Sequence, residues 1–188
     1  CPLPRPPLVA STSTLVLASF PSAVPPAPHG VSSVVPEPVE PPGVRFATFN
    51  ASLSRAQAEM RLEELRAPDN EQARNIAEII QHVRPHVLLV NEFDHDEAET
   101  GPHLFQDNYL SVGQRGAGPI EYPYVYTAPV NTGVASGVDL DGDGEAVTEP
   151  GSLAYAADAF GYGLFPGQYG MVVYSMYPID TERVRTFR

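Results

Sequence analysis

The sequence predicts an α/β fold in which a helix joins two parallel strands. Residues 44–50 and 87–90 have the composition of strands, and the stretch between them carries apolar residues at helical spacing. A strand, a helix and a second strand in this order usually form a crossover unit, whose strands run parallel in one sheet. The sequence therefore predicts a mixed α/β domain that begins near Val44.

The first 43 residues differ from the rest of the chain in composition. They hold twelve of the 21 prolines, so we predict a disordered Pro-rich tail or linker over residues 1–43 and the domain over residues 44–188. The apolar segment 8–20 follows Arg5 and has the character of a weak signal-peptide core, and Cys1 is a candidate lipid-attachment site. We expect an extracellular or cell-envelope protein, with the cytoplasm as the alternative, and no transmembrane segment.

The chain is strongly acidic. It has 23 acidic residues against 11 basic ones, all of them arginine, and a formal net charge of -12. This balance disfavours tight binding to a polyanion unless metal ions reverse the local field, so nucleic acid is a disfavoured but open partner. Cys1 is the only cysteine of the sequence, which rules out a disulfide within it, and we expect a monomer.

The first strand is predicted over residues 44–50 and ends at Asn50. Its two sides carry alternate residues, with Val44, Phe46, Thr48 and Asn50 on one side and Arg45, Ala47 and Phe49 on the other. Residues 54–66 are rich in helix formers and predict a short exposed helix before Pro68.

The next helix is the crossover helix. Asp69 is the predicted N-cap and Gln72 the reciprocal residue of a capping box, while Pro85 ends the helix. One face carries the apolar positions Ala73, Ile76, Ala77, Ile80 and Val83.

The second strand, Val87 to Val90, reads as buried on both faces and runs into polar residues, namely Asn91, Glu92, Asp94 and Asp96. Parallel strands end at the same edge of a sheet, and open α/β sheets bind ligands at that edge. We therefore predict that Asn50 and Glu92 face one crevice. The alternative is that Asn50 caps a turn and Glu92 begins a solvated loop; Asp94 and Asp96 are expected to be loop residues.

Further elements are predicted along the second half. They are a helix over 102–110, a strand within 122–130, a Gly-rich insertion over 130–168, a strand over 170–175 and a strand candidate over 184–188. A loop as long as the insertion is often functional.

Three segments in fixed order, "FATFN", "LLVNEFD" and "GQYGMVVYSMYPI", resemble the metal-dependent endonuclease/exonuclease/phosphatase superfamily, which contains the DNase I-like nucleases. The resemblance covers residues 44–188 and is closest to secreted bacterial members. It implies that the chain is the N-terminal part of a four-layer α/β-β/α sandwich.

The resemblance also implies site residues and a reaction. Glu92 would hold Mg²⁺ or Mn²⁺, with Asn50 beside the metal as a further metal-site and catalytic residue. The implied reaction is hydrolysis of a phosphate ester by a phosphodiesterase, nuclease or phosphatase. Met176 stands where the family commonly has Arg. The family's Asp-x-Asn pair, catalytic His residues and final Ser-Asp-His would follow Arg188, so we expect the 188 residues to be an incomplete, inactive fragment.

The histidines do not supply the missing groups. His82 is predicted to be exposed on the crossover helix and His86 to lie at the opposite edge of the sheet. His95 and His103 follow Glu92 and are candidate phosphate contacts, although solvated loop positions are the favoured interpretation.

The segment "DLDGDG" resembles half of a calcium loop. Asp139, Asp141 and Asp143 occupy its first, third and fifth positions, but Pro150 stands at the twelfth, where an EF-hand has Glu. A structural Ca²⁺ site and a solvated acidic turn are the two interpretations. The alternative function is therefore a noncatalytic secreted module that binds calcium or another ligand.

Overall fold

A computed structural model describes residues 15–18 and 43–186. In chain order the elements are β1 (Leu15–Ala18), β2 (Phe46–Leu53), α1 (Met60–Arg66), α2 (Glu71–Val83), β3 (Val87–Phe93), α3 (Thr100–Phe105), a π-helical turn (Gln106–Leu110), β4 (Tyr124–Thr127), α4 (Leu153–Ala157), β5 (Met171–Ser175) and a 3₁₀ turn (Thr181–Arg183). The protein is a mixed α/β fold, as predicted.

The strands form one five-stranded sheet in the order β1-β2-β3-β5-β4. The central pair β2 and β3 is parallel and is joined through α1 and α2, which confirms the predicted crossover. The other three pairs are antiparallel. Asn50 pairs with Asn91, so both parallel strands end at one edge of the sheet.

One face of the sheet is covered by helices and forms the core. Alternate residues of the three central strands point into it and pack against α2 and the α3 region. Its buried side chains include Phe49, Leu53, Leu88, Val90 and Tyr174 from the strands, and Ile76, Ile80, Phe105 and Tyr109 from the helices. The apolar faces of the helices and of the strands therefore form a single apolar layer.

The opposite face is less covered. Phe46 at 47%, Met171 at 45% and Tyr124 at 39% are exposed there. The prediction that residues 87–90 are buried on both faces is therefore wrong for this side, on which Val87 and Leu89 are only half-buried. They lie between partly exposed neighbours, whereas the other side of β3 lies under the helices.

Both predicted helices of the crossover differ in detail from expectation. The first begins only at Met60 and is not fully exposed, because it buries Arg61 and Leu65. The cap of α2 is Asn70, whose side chain accepts a hydrogen bond from the Ala73 N–H, and not Asp69. Starting the helix one residue later leaves Asp69 outside the capping position.

The N-terminal segment contributes one element. Residues 8–20 contain no proline, and within them Leu15–Ala18 pair with β2 as an edge strand, an exception to the predicted disorder. Residues 1–14 and 19–42 of the predicted tail, which include Cys1 and the remainder of the candidate signal segment, lie outside the described residues. Within residues 15–18 and 43–186, no helix has both the length and the apolar character needed to cross a bilayer.

The C-terminal strand candidate is not seen. The described part of it, residues 184–186, follows the 3₁₀ turn without pairing into a strand, and its last two residues lie outside the description. By contrast, the predicted helix over 102–110 is present as α3 and the π-helical turn after it.

The insertion leaves the sheet from β4 and returns to it at β5. These two strands are antiparallel neighbours, with Thr127 opposite Val172. Inside the insertion, Gly133 has a φ of +70°, and an added Cβ would lie 1.8 Å from the Phe165 carbonyl oxygen. Only glycine fits this position, and the two ends of the insertion are held close together there.

Candidate metal centre

Asn50 and Glu92 lie in contact near the carboxyl ends of the two parallel strands, three residues before the end of β2 and one before the end of β3. The Asn50 Nδ2 atom donates a 2.7 Å hydrogen bond to Glu92 Oε1, across 42 positions of sequence. They meet because β2 and β3 are parallel neighbours that end at the same edge. Both side chains are half-buried, so solvent reaches them. The structure thus brings together the two residues that the sequence analysis predicts to face one crevice.

Ser52 is a third member of this site and was not predicted. Its backbone N–H donates to Asn50 Oδ1 at 3.0 Å, and its hydroxyl donates to Glu92 Oε2 at 3.3 Å. Ser52 and Glu92 both have left-handed backbone angles, with φ of +52° and +54°. The β2–β3 register shifts between Asn50 and Leu53. The one sequence signal for Ser52 was its place two residues after Asn50, on the same side of the strand.

The crossover helix supports the end of β2 through Gln72. Its Nε2 atom donates to the carbonyl oxygens of Ala51 and Ser52, at 3.2 and 2.7 Å. Arg55, which pairs with Glu64, also donates to Gln72 Oε1. Gln72 was assigned to a capping box, but its side chain instead satisfies backbone groups where the strand ends.

Asp94 is buried and connects three segments of the chain by hydrogen bonds. It is only 5% exposed and accepts hydrogen bonds from the N–H groups of Arg55 at 2.8 Å and Tyr169 at 3.0 Å. Burial raises the pKa of Asp94, while these hydrogen bonds and the charges of Arg61 and Arg55 oppose the rise. Asp94 is a loop residue, as predicted, but it is a buried one. It stands two residues after Glu92 and joins that loop to those before α1 and β5.

Arg61 lies beneath this loop. It is 2% exposed, donates to the Asp94 carbonyl oxygen, and pairs with Asp96 Oδ2 at 3.2 Å. Its guanidinium lies 4.2 Å from the centre of the Phe93 ring, a cation–π contact. Burial lowers the pKa of Arg61, and the charges of Asp94 and Asp96 counter that effect. A buried cation thus balances the acidic loop behind the site.

Asp96 also has a structural role that the sequence did not indicate. Its two carboxylate oxygens accept from the N–H groups of Thr100 and Gly101 at the start of α3, at 2.7 and 3.0 Å. Acidic groups stabilise the exposed N–H groups at a helix start. Both aspartates that follow Glu92 therefore anchor the surrounding loops.

The four histidines in the described part of the domain take separate positions. His82 is exposed on α2, and the His86 ring accepts a hydrogen bond from the Arg45 N–H at the amino end of β3. His95 lies in the loop after Glu92, with Nδ1 at 3.2 Å from Thr127 Oγ1. His103 is exposed on α3.

The acidic loop of the insertion gathers a different set of carboxylates from the one predicted. Oxygens of Asp139, Asp141 and Asp158 lie within 4.8 Å of one another, a group that could hold a metal ion. Asp158, at the end of α4, takes the place expected for Asp143, whose Oδ1 accepts from the Glu145 N–H. Asp158 is separated in sequence from the motif, so spacing alone could not reveal it.

The donors at the sheet edge fit part of a magnesium or manganese shell. Glu92 offers a carboxylate in which each oxygen accepts one hydrogen bond and keeps a further lone pair. The Asn50 amide adds a hard oxygen atom beside it. Mg²⁺ is commonly held by one or two carboxylates while it keeps several waters, so a half-buried edge suits it.

The fold and the site define a class: an α/β protein with a carboxylate and an amide at the ligand-binding edge of a parallel strand pair. A family model described as "Endonuclease/Exonuclease/phosphatase family" matches residues 47–188, a span that contains Asn50, Ser52 and Glu92.

The chain therefore belongs to the endonuclease/exonuclease/phosphatase family, as its sequence motifs indicated. Members of this family are hydrolases that generally act on phosphoesters and use divalent metal ions. No curated protein and no solved structure gives a significant match to the chain.

Proposed function

We propose that this protein takes part in divalent-metal-dependent hydrolysis of a phosphate ester, with Mg²⁺ or Mn²⁺ held at Glu92. The observation that carries the proposal is the 2.7 Å contact between Asn50 and Glu92, formed at the carboxyl edge of the sheet in a member of a hydrolase family. Such an edge is where α/β sheets commonly bind ligands.

The two predicted residues have distinct roles in this proposal. Glu92 supplies the anionic ligand. The Asn50 amide nitrogen orients the Glu92 carboxylate, and its Oδ1 atom, which accepts one hydrogen bond from Ser52, keeps a lone pair beside the ion. A bound metal neutralises charge on the phosphoryl oxygens and stabilises the leaving oxygen.

The charge of the chain narrows the substrate class. A net charge of -12 weakens attraction to a long polyanion, whereas a small phosphoester needs only the local field of the metal. We therefore propose a small phosphoester or a weakly held polymer as substrate, and an exported monomer as the form that acts on it.

Titration of the full chain with Mn²⁺ tests the role of Glu92. Calorimetry is performed in an Asp141→Ala background, so that the acidic loop does not contribute a second site. Glu92→Gln, which keeps size but removes the charge, should weaken binding at least about tenfold. Glu97→Gln, an exposed carboxylate five positions away, is the matched control and should bind as the parent does. Equal affinity of the Glu92→Gln variant and its parent would reject Glu92 as a ligand.

Activity is measured on a gene product that contains residues 47–188, the span that the family model matches. The expected result is Mn²⁺-dependent hydrolysis of bis(p-nitrophenyl) phosphate that Glu92→Gln abolishes and Glu97→Gln retains. Metal-independent activity, or activity retained without Glu92, would contradict the proposed mechanism.

A second candidate function is calcium binding by the insertion, and the carboxylate cluster of Asp139, Asp141 and Asp158 favours it. Here Ca²⁺ would order the insertion of a binding module without catalysis. Calorimetry with Ca²⁺ should lose its signal in Asp141→Ala and keep it in Asp143→Ala, since Asp143 lies outside the cluster. Unchanged binding by Asp141→Ala would exclude the site.

A further inference from the structure

We propose that Ser52 is a positioning residue for Glu92, an inference that rests on the proposed metal site. Three hydrogen bonds close a ring among Asn50, Ser52 and Glu92. The Ser52 N–H donates to Asn50 Oδ1, Asn50 Nδ2 donates to Glu92 Oε1, and the Ser52 hydroxyl donates to Glu92 Oε2. Each Glu92 oxygen therefore has its own donor, which fixes the plane of the carboxylate.

The two donors are not equivalent. Asn50 alone holds one oxygen of Glu92 and would leave the carboxylate free to rotate about its terminal bond. The Ser52 hydroxyl donates to the second oxygen of Glu92. The Ser52 N–H also donates to the Asn50 side chain, which in turn donates to the first oxygen of Glu92. Because hydrogen-bond partners of metal ligands fix ligand orientation and strengthen metal binding, Ser52 would act on the ion through Glu92.

The backbone of Ser52 supports a role for its hydroxyl. Its φ of +52° belongs to a region that glycine adopts freely and that other residues enter at a cost. Gln72 holds this backbone in place through its 2.7 Å hydrogen bond to the Ser52 carbonyl oxygen. A glycine here would relieve the backbone, yet it would lack the group that contacts Glu92.

A local turn is the competing explanation. The hydrogen bond from Ser52 N–H to Asn50 Oδ1 spans two residues, and such bonds form wherever Asn begins a turn. A residue needed only for this turn requires no hydroxyl. Ser52→Gly separates the two explanations, because it keeps the N–H, suits the positive φ and removes only the contact to Glu92.

The experiment measures Mn²⁺ affinity and thermal unfolding of the full chain in the Asp141→Ala background. Ser52→Gly and Ser52→Ala should each bind Mn²⁺ about tenfold more weakly, and Ser52→Gly should unfold at the parent temperature or above it. Ser54→Ala is the control, since within the described residues its hydroxyl makes no hydrogen bond, and its affinity should match the parent.

Three outcomes decide the proposal. Weaker binding by Ser52→Gly, at unchanged stability, supports it. Parent-like affinity of Ser52→Gly, together with weak binding by Glu92→Gln, overturns the Ser52 proposal and leaves the metal site intact. Parent-like affinity of Glu92→Gln overturns the metal site itself, and the role of Ser52 with it.

Discussion

Asp94 and Asp158 are both buried and each accepts two backbone hydrogen bonds, yet their pKa values shift in opposite directions. They are 5% and 2% exposed. Asp94 lies among the loops at the sheet edge, where burial dominates and raises its pKa. Asp158 lies in the insertion, where hydrogen bonds from the N–H groups of Val147 and Leu140 dominate and lower its pKa.

The difference lies in what surrounds each carboxylate. Asp94 connects residues 39 and 75 positions away and stands next to buried Arg61. Asp158 connects residues 18 and 11 positions away, within a segment whose other acidic residues are exposed or only half-buried. Asp94 therefore connects distant segments of the domain, whereas Asp158 organises a single loop. An equally small exposed surface therefore implies neither an equal depth of burial nor an equal role.

Removing the cation beside Asp94 should have the largest effect. Arg61→Met deprives Asp94 and Asp96 of their buried counter-charge and should lower the free energy of unfolding by about 3–5 kcal/mol. Urea denaturation, monitored by tyrosine fluorescence, measures this change in the free energy of unfolding. Arg66→Met, at the exposed end of the same helix, should change little. Similar stabilities for the two variants would show that the sheet edge does not depend on buried charge.

Changing Asp94 alone should have an intermediate effect. Asp94→Asn places an NH₂ group against one of two backbone N–H donors and should cost about 1–3 kcal/mol of unfolding free energy. The loss should appear across the whole domain, because three segments are released together. If protection from hydrogen exchange falls only near Asp94 and global stability is unchanged, Asp94 stabilises only its local loop, as Asp158 does.

The pH response of the insertion should be the smallest effect. The pKa of Asp158 is lowered in the folded protein, so its stabilising contribution is present above the usual carboxyl range and is lost as pH falls through the lowered value. Protection of the Leu140 and Val147 amides from exchange should fall in acid before the sheet unfolds.

Asp158→Asn is the control for that measurement, since it cannot titrate. In this variant the two amides should show no separate acid transition. If the transition persists, groups other than Asp158 cause it.

The elements that could be predicted are those specified by local pattern. Strand alternation, helical spacing and the order strand-helix-strand placed Asn50 and Glu92 at one edge, because parallel topology follows from that order. The capping residue was missed by one position, since Asp69 and Asn70 are both good caps and only the tertiary contacts of α2 decide between them.

The supporting residues could not be predicted for a different reason. Ser52, Asp94 and Arg61 act through contacts made across 33 to 75 positions of sequence, and no periodic pattern reports such contacts. Asp158 replaced Asp143 for the same reason, because α4 brings a distant carboxylate to the loop. The local sequence shows which polar residues could support a site, but the tertiary contacts of the folded chain decide which of them do so.

The pairing of β4 with β5 makes the insertion a modular part of the architecture. Its ends leave and rejoin adjacent antiparallel strands, so a short hairpin could join them without altering the order of the sheet. A minimal version of the domain would keep residues 167–170, because Gln168 and Tyr169 contact Arg55 and Asp94. The same geometry makes this the point at which the domain can gain or lose length, and with it new surface, while the sheet edge stays intact.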